Sequence, residues 1–175
     1  MISTKGEATR SITFRVPERI VNELETQATI ENLSTNVLVK HVFENYLEFH
    51  RNAGKAGLIA FPRELLVRLM GGYTEKEVIA MAEYIAKDTI TDIMILLRNE
   101  FTTGSFLNVV ESWSNASNIP FRHETKGQLN TCIMQHDLSK NWSLYLGHLF
   151  KNVIEELAQR KVAIQITRHS VMFRF

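Results

Sequence analysis

The sequence predicts an α+β protein in which a small N-terminal unit precedes a larger domain of helices and a four-stranded antiparallel sheet. Three observations support this prediction. Residues 11–16 alternate between polar and apolar side chains, residues 17–50 hold two amphipathic segments with helical spacing, and four strand-like segments follow residue 119. We divide the chain into an N-terminal unit with a flexible arm (1–50), a linker (51–57) and an α+β regulatory or oligomerisation domain (58–175).

The alternating segment predicts a strand with one buried and one solvated face. Successive side chains of a strand point to opposite sides of its sheet. One face therefore carries the apolar residues Ile12, Phe14 and Val16, and the other carries Ser11, Thr13 and Arg15. Pro17 ends the strand and suits the first turn of a helix, where its missing N–H is not needed.

Two helices follow this strand. The first runs over about 17–29, with Ile20, Val21, Leu24 and Ala28 on its apolar side. Asn32 is expected in the left-handed conformation that ends a helix. Ser34 is a good N-cap for the second helix, whose apolar residues are Leu38, Val39, Val42, Phe43, Tyr46 and Leu47.

One strand and two helices in about forty residues cannot bury a sufficient core. A lone strand also leaves both of its edges unpaired. Antiparallel pairing with a second copy would solve both problems and would place the apolar strand faces over a shared helical core. The outward faces would then form a two-stranded ribbon that fits a DNA major groove.

Residues 10–49 resemble the ribbon-helix-helix family of dimeric DNA-binding proteins, to which the Arc and MetJ repressors belong. The resemblance covers the alternating strand, Pro-Glu, an amphipathic helix, an Asn-Leu-Ser turn and a second helix ending in Glu-Asn-Tyr. It implies a homodimer on double-stranded DNA, with base contacts from Ser11, Thr13 and Arg15. It also implies phosphate contacts from Ser34, Thr35 and Asn36 at the start of the second helix, where free N–H groups favour an anion.

The N-terminal arm supplies two further candidate phosphate contacts, Lys5 and Arg10. The first 55 residues are not basic overall, because they hold seven Lys or Arg and seven Glu. The positive charge needed for DNA is therefore local to the arm and the strand. Binding by one dimer would be modest, and tandem sites or a tetramer could strengthen it.

The C-terminal domain is predicted from caps and periodicity. A short helix follows Phe61-Pro62 and stops at Gly71-Gly72, and Thr74 with Glu77 forms a capping box. A long apolar-striped segment follows, broken near Thr89, and then a helix to about 114. Strands are expected over 121–125, 129–136, 162–167 and 171–175, with a long helix over 140–160 between the second and third.

Three residues near the predicted hairpin, His123, Cys132 and His136, are candidate metal ligands. Cys132 and His136 share a strand face but lie roughly 13 Å apart along it, so a buried thiol and a backbone-bonded histidine are the simpler interpretation. The domain layout resembles that of the nickel-responsive repressors, but their close His-x-His pair with a following Cys is missing. We predict no metal site, and the sequence names no cofactor.

Composition and motifs narrow the functional classes that the protein could belong to. A net charge of +1 gives no global attraction to nucleic acid or membrane, and a single cysteine fits a reducing cytoplasm without disulfides. No signal peptide, membrane helix, phosphate-binding Gly-rich loop or nucleophile elbow is present, so we expect a cytoplasmic protein that is not an enzyme. Aromatic residues of the long helix could line a cavity for a small-molecule effector.

The leading functional hypothesis is a sequence-specific transcription regulator, of the repressor type that the family resemblance implies. Two alternatives remain. A ribbon-helix-helix antitoxin would have a C-terminal tail that neutralises a partner protein, although such tails are usually short and fold on binding. A DNA-organising or plasmid-partition protein would bind with weak sequence preference.

Overall fold

The computed structural model of the protein describes residues 9–175. Two helices follow an irregular segment at the N-terminal end: α1, Glu18–Ile30, and α2, Thr35–Asn45. Pro17 precedes α1 as its N-cap residue, and Asn32 in the connecting turn has a φ of 56°. The left-handed turn predicted at Asn32 is confirmed. A π-helical turn, Tyr46–His50, and the short helix α3, Arg51–Ala53, continue directly from α2.

The predicted strand over Ser11–Val16 is absent from the single chain. Residues 9–17 form no regular secondary structure, and the first strand of the described residues begins at Phe121. The reason is physical, because a strand is completed by hydrogen bonds to a neighbouring strand. No other described segment pairs with residues 9–17, and a ribbon made by two copies cannot form within one.

Tertiary contacts divide the chain into two compact units, Met1–Phe43 and Glu44–Phe175. We call them the N-terminal unit and the C-terminal unit. The division falls within α2, whereas the sequence places a linker at 51–57. In the structure that stretch begins with α3, and Ala53 is buried.

Four helices open the C-terminal unit after α3: α4, Arg63–Gly71; α5, Glu75–Asp88; α6, Ile90–Arg98; and α7, Thr103–Ala116. The capping box predicted at Thr74 and Glu77 is confirmed, since each side chain accepts a hydrogen bond from the backbone N–H of the other residue. The predicted break near Thr89 is also confirmed. A second capping box, between Thr102 and Ser105, starts α7.

The sheet has four antiparallel strands in the order β1-β2-β4-β3. Their bounds are β1, Phe121–Lys126; β2, Leu129–Gln135; β3, Ala163–Ile166; and β4, Ser170–Arg174. Helix α8, Lys140–Ala158, lies between β2 and β3 in sequence and packs on the sheet against β3 and β4. The α+β class and the four-stranded antiparallel sheet are therefore confirmed.

The main core lies between α8 and one face of the sheet, with α5, α6 and α7 closing its other side. Cys132 and Met134 of β2 and Val171 and Phe173 of β4 are fully buried in this core, where the Phe173 ring contacts that of Phe150 on α8. These strand residues alternate with more exposed ones, as expected for a sheet covered on one face. Within the described residues, no helix combines the length and hydrophobicity that crossing a membrane requires.

Candidate nucleic-acid interface

The segment predicted to form the ribbon is exposed on both of its sides in the single chain. The candidate base-contacting residues Ser11, Thr13 and Arg15 are exposed. The alternate apolar residues are exposed as well: relative accessibility is 68% for Ile12, 59% for Phe14 and 48% for Val16. The polar face is thus free to meet a ligand, and the apolar face has no adequate cover within the chain.

The core of the N-terminal unit is very small. Among its described residues, Ala28 and Leu38 are the buried apolar side chains, while Ile20, Val21 and Leu24 of α1 are half-buried. Phe14 makes an edge-on ring contact with Phe43, with centroids 5.7 Å apart, yet both rings remain about half exposed. More apolar surface is exposed on Ile30, Val37 and Val42. Much of the apolar surface of the N-terminal unit is therefore exposed in the single chain.

The start of α2 is capped by Ser34. The Ser34 hydroxyl accepts a hydrogen bond from the backbone N–H of Val37 at 3.3 Å, and the Ser34 carbonyl accepts from Leu38 N–H at 3.0 Å. The predicted N-cap is confirmed. Ser34 and Asn36 are exposed and Thr35 is half-buried, so backbone N–H groups of this first turn, which have no acceptor inside the helix, can face a phosphate.

The cationic candidates differ in whether an acidic side chain lies beside them. Arg10 and Arg15 are exposed, and no ion pair joins either to another residue of the described part of the chain. Lys5 lies outside the described residues. In contrast, Arg19 on α1 approaches Glu23 at 3.7 Å, one helical turn away. Of these three arginines, the two before α1 therefore have no carboxylate partner in the described part of the chain, whereas Arg19 has one.

The three metal candidates do not converge on one point. His123 and Cys132 are directly opposed on β1 and β2, but Cys132 is fully buried and burial raises the pKa of its thiol to about 12. His123 is exposed, with its Nε2 atom 2.9 Å from the side-chain oxygen of Asn130. Across residues 9–175, no group of three or more His, Cys, Asp and Glu residues could hold a metal ion.

His136 instead belongs to a buried hydrogen-bond network. Its Nδ1 atom accepts from the backbone N–H of Leu138 at 3.3 Å, so its proton resides on Nε2 in the neutral ring. Nε2 lies 3.0 Å from the Ser143 hydroxyl, which in turn donates to the Arg168 carbonyl at 3.3 Å. Burial lowers the pKa of His136, as does nearby His169, while Asp137 opposes the shift.

This histidine–serine pair lacks the arrangement of a nucleophilic site. Ser143 is completely buried, so a substrate cannot reach its hydroxyl. A general base must accept the serine proton on its free ring nitrogen, whereas here the network gives that nitrogen a proton to donate. The pair joins the end of β2 to α8. Because the two side chains bond to each other, each of these buried polar groups has a hydrogen-bond partner.

A surface cavity of about 480 Å³ adjoins this network. It is lined by Arg63 at the start of α4, by the loop before β1, by the end of β2 and by the β3–β4 turn. The Arg63 guanidinium already donates hydrogen bonds to the Asp137 carboxylate and to the carbonyls of Ser117 and Asn118. The volume is in the range of ligand pockets, but the polar groups of Arg63 and Asp137 in its wall already bond to each other. The segments that line the cavity are far apart in sequence, so the sequence alone does not predict it.

No protein-family model matches the chain, and no curated protein is significantly similar to it.

Proposed function

We propose that the protein is a DNA-binding transcription regulator that acts as a homodimer through its N-terminal unit. The observation that carries this proposal is the exposure of Ile12, Phe14 and Val16 on one side of a segment whose other side is polar. Each of these three apolar side chains is about half exposed or more. Antiparallel pairing with the same segment of a second copy covers this face and supplies the backbone partners that a strand requires.

The mechanism follows from that pairing. The ribbon presents Ser11, Thr13 and Arg15 of both copies to the major groove, where the Arg15 guanidinium donates to the acceptors of a guanine edge. Ser34, Thr35 and Asn36 hold a phosphate at the start of α2, and Lys5 and Arg10 add charge on the backbone. The dimer has twofold symmetry, so its site is a pseudo-palindrome.

The folded C-terminal unit favours a regulator over an antitoxin. Its core joins a four-stranded sheet to α8, and the eleven largest fully buried side chains of the described residues all lie in this unit. An antitoxin tail that folds on its partner would not bury so much surface by itself. We assign this unit to oligomerisation or to the sensing of a small molecule, and the protein to the cytoplasm.

Selection from a random duplex pool tests the proposal. The full-length protein is incubated with the pool at two salt concentrations, bound sequences are recovered, and affinities are measured by fluorescence anisotropy. We expect enrichment of a pseudo-palindromic site and weaker binding at higher salt, because phosphate contacts release counterions. Binding without enrichment would favour the DNA-organising alternative, and no binding at either salt would contradict the proposal.

A second measurement tests the ribbon directly. Phe14→Asp places two carboxylates in the shared apolar face and should convert the N-terminal dimer to its subunits and abolish DNA binding. Thr13→Ala is the matched control, because Thr13 is on the polar face of the same segment. It should keep the dimer and change only base preference. Unchanged association of Phe14→Asp would exclude the predicted ribbon.

A further inference from the structure

Helix α4 carries an apolar stripe that its own chain leaves uncovered. Phe61, Leu65, Leu69 and Tyr73 recur at every fourth position, and their relative accessibilities are 49%, 38%, 54% and 46%. Leu65 and Leu69 lie on α4, and the two aromatic residues flank its ends. The opposite side of the helix, which carries Met70, packs onto α5 and α8 through Val78 and Leu144. Leu65 and Leu69 are neighbours on one exposed face of the helix, and the exposed Phe61 and Tyr73 lie just beyond its two ends. Together they mark an apolar interaction surface.

Side chains hold both ends of this helix in place. At the N-terminal end, Arg63 binds the Asp137 carboxylate and the loop carbonyls before β1. At the C-terminal end, the Asn141 amide donates to the carbonyls of Met70 and Tyr73, at 2.7 and 3.0 Å. A short helix would otherwise be marginal. The stripe is thus presented on a fixed support, and substitutions on its outer face leave these anchors untouched.

The charges beside the stripe indicate what covers it. Glu64 and Arg68 each precede a stripe leucine by one residue, so both lie on the same flank, and they form an ion pair at 2.8 Å with most of each side chain exposed. In an antiparallel helix pair, like flanks of the two helices face each other. Leu65 of one copy then faces Leu69 of the other, and Glu64 faces Arg68 in both directions.

We propose that the α4 stripe pairs antiparallel with the same stripe of a second copy of this chain. Its pattern is self-complementary in shape and in charge, as a twofold interface requires. A stable protein interface buries about 1,600 Å², and the face of one nine-residue helix is smaller. The contact is therefore weak alone and becomes effective when another interface, or adjacent sites on one DNA, brings two copies together. The proposal goes beyond DNA binding and does not depend on it.

Charge exchange in the full-length chain provides the decisive experiment. Glu64→Arg places Arg opposite Arg68 of the second copy, and Arg68→Glu places Glu opposite Glu64. Each variant should weaken the association by about three- to thirtyfold in sedimentation velocity across a concentration series. An equimolar mixture of the two variants should restore it, because each chain then meets the opposite charge. Restoration in the mixture cannot arise from the ion pair within α4, which is broken in both chains.

Leu65→Gln tests the apolar part of the contact and should weaken it by about tenfold or more. Ile59→Gln is the control, since Ile59 is exposed but lies outside the four-residue spacing. The association through α4 can be told apart from dimerisation through the ribbon. If both interfaces form, the α4 contact is seen as assembly of dimers into tetramers. If the ribbon does not form, it is seen as assembly of monomers into dimers. The proposal is overturned if a single charge exchange or Leu65→Gln leaves association unchanged, or if the mixed variants associate no better than either alone.

Discussion

Arg63 donates two hydrogen bonds from one guanidinium nitrogen to the carboxylate of Asp137, at 2.7 and 2.8 Å, and so joins the start of α4 to the end of β2. The hydrogen bonds from Arg63 hold the pKa of Asp137 below its ordinary value of 3.8. The folded state thus favours the ionised carboxyl. This contribution to stability is present above pH 3.8 and is lost as the pH falls through the folded-state pKa.

Arg63→Gln should raise the pKa of Asp137 toward its ordinary value. The Asp137 carboxyl can be followed by its ¹³C chemical shift during a pH titration of the folded protein. Arg68→Gln is the control, because Arg68 is on the same helix but pairs with Glu64. An Asp137 pKa that stays equally low in both variants would show that another group is responsible.

Gly147 lies on the side of α8 that packs against Ile166 of β3 and Val171 of β4. A methyl group at this position would be 2.8 Å from Cδ1 of Ile166, which is shorter than a normal van der Waals contact. Its distance to Val171 would be an ordinary 3.5 Å. Gly147→Ala should therefore be less stable than Gly71→Ala, which meets no atom within 4 Å, by about 1–3 kcal/mol in urea unfolding. Ile166→Val removes the nearest atom and should recover part of the loss. Equal stability of the two alanine variants would mean that Ile166 moves aside freely.

The His136 network predicts a loss of stability in mild acid. Its folded-state pKa is below the ordinary value of 6.5, since burial disfavours the charged ring. As the pH falls below 6.5 the unfolded chain takes up a proton that the folded chain does not, so the free energy of unfolding decreases until the folded-state pKa is reached. Burial lowers the pKa of His148 also, and it contributes in the same direction.

Replacement of His136 by Asn should therefore reduce the slope of stability against pH between 6.5 and 5, although the variant is less stable at pH 7. Urea unfolding at several pH values measures the slope. His123→Asn is the control, because His123 is exposed on β1, and it should leave the slope unchanged. An unaltered slope in His136→Asn would assign the pH dependence to other groups.

Arg15→Ala should cost about 1–3 kcal/mol in specific DNA binding and relax discrimination at one base position. Arg19→Ala is the matched control, since Arg19 is equally cationic but lies on α1 beside Glu23. Fluorescence anisotropy on the selected site and on single-base variants separates the two effects. Arg15→Ala binding as tightly and as selectively as the parent would contradict the assigned role of Arg15.

Local signals in the sequence predicted most of the fold. The Thr74–Glu77 box, the cap at Ser34 and the left-handed turn at Asn32 each depend on residues within a few positions, and the structure has all three. The π-helical turn at residues 46–50 was missed, because one inserted residue hardly disturbs an apolar pattern. The capping box of Thr102 before α7 is hard to see in the sequence, since Ser105 rather than Glu or Gln completes it.

Long-range relationships could not be predicted in this way. The pairing of Arg63 with Asp137 joins residues far apart in sequence, and nothing near either residue indicates the other. The burial of Ser143 beside His136 likewise depends on how α8 crosses the end of β2. At the candidate DNA interface the reverse holds. The alternation of residues 11–16 is visible in sequence, but a strand needs a hydrogen-bonded neighbour, and the described part of the single chain supplies none.

The strand order has a consequence for synthesis of the protein. β4 emerges from the ribosome after the other three strands, yet it lies between β2 and β3. Until β4 arrives, one edge of the β1–β2 hairpin stays unpaired, and β3 has no neighbouring strand. Translation that stops before Ser170 would thus release a chain with open strand edges, the kind of surface that chaperones bind and that aggregates form on.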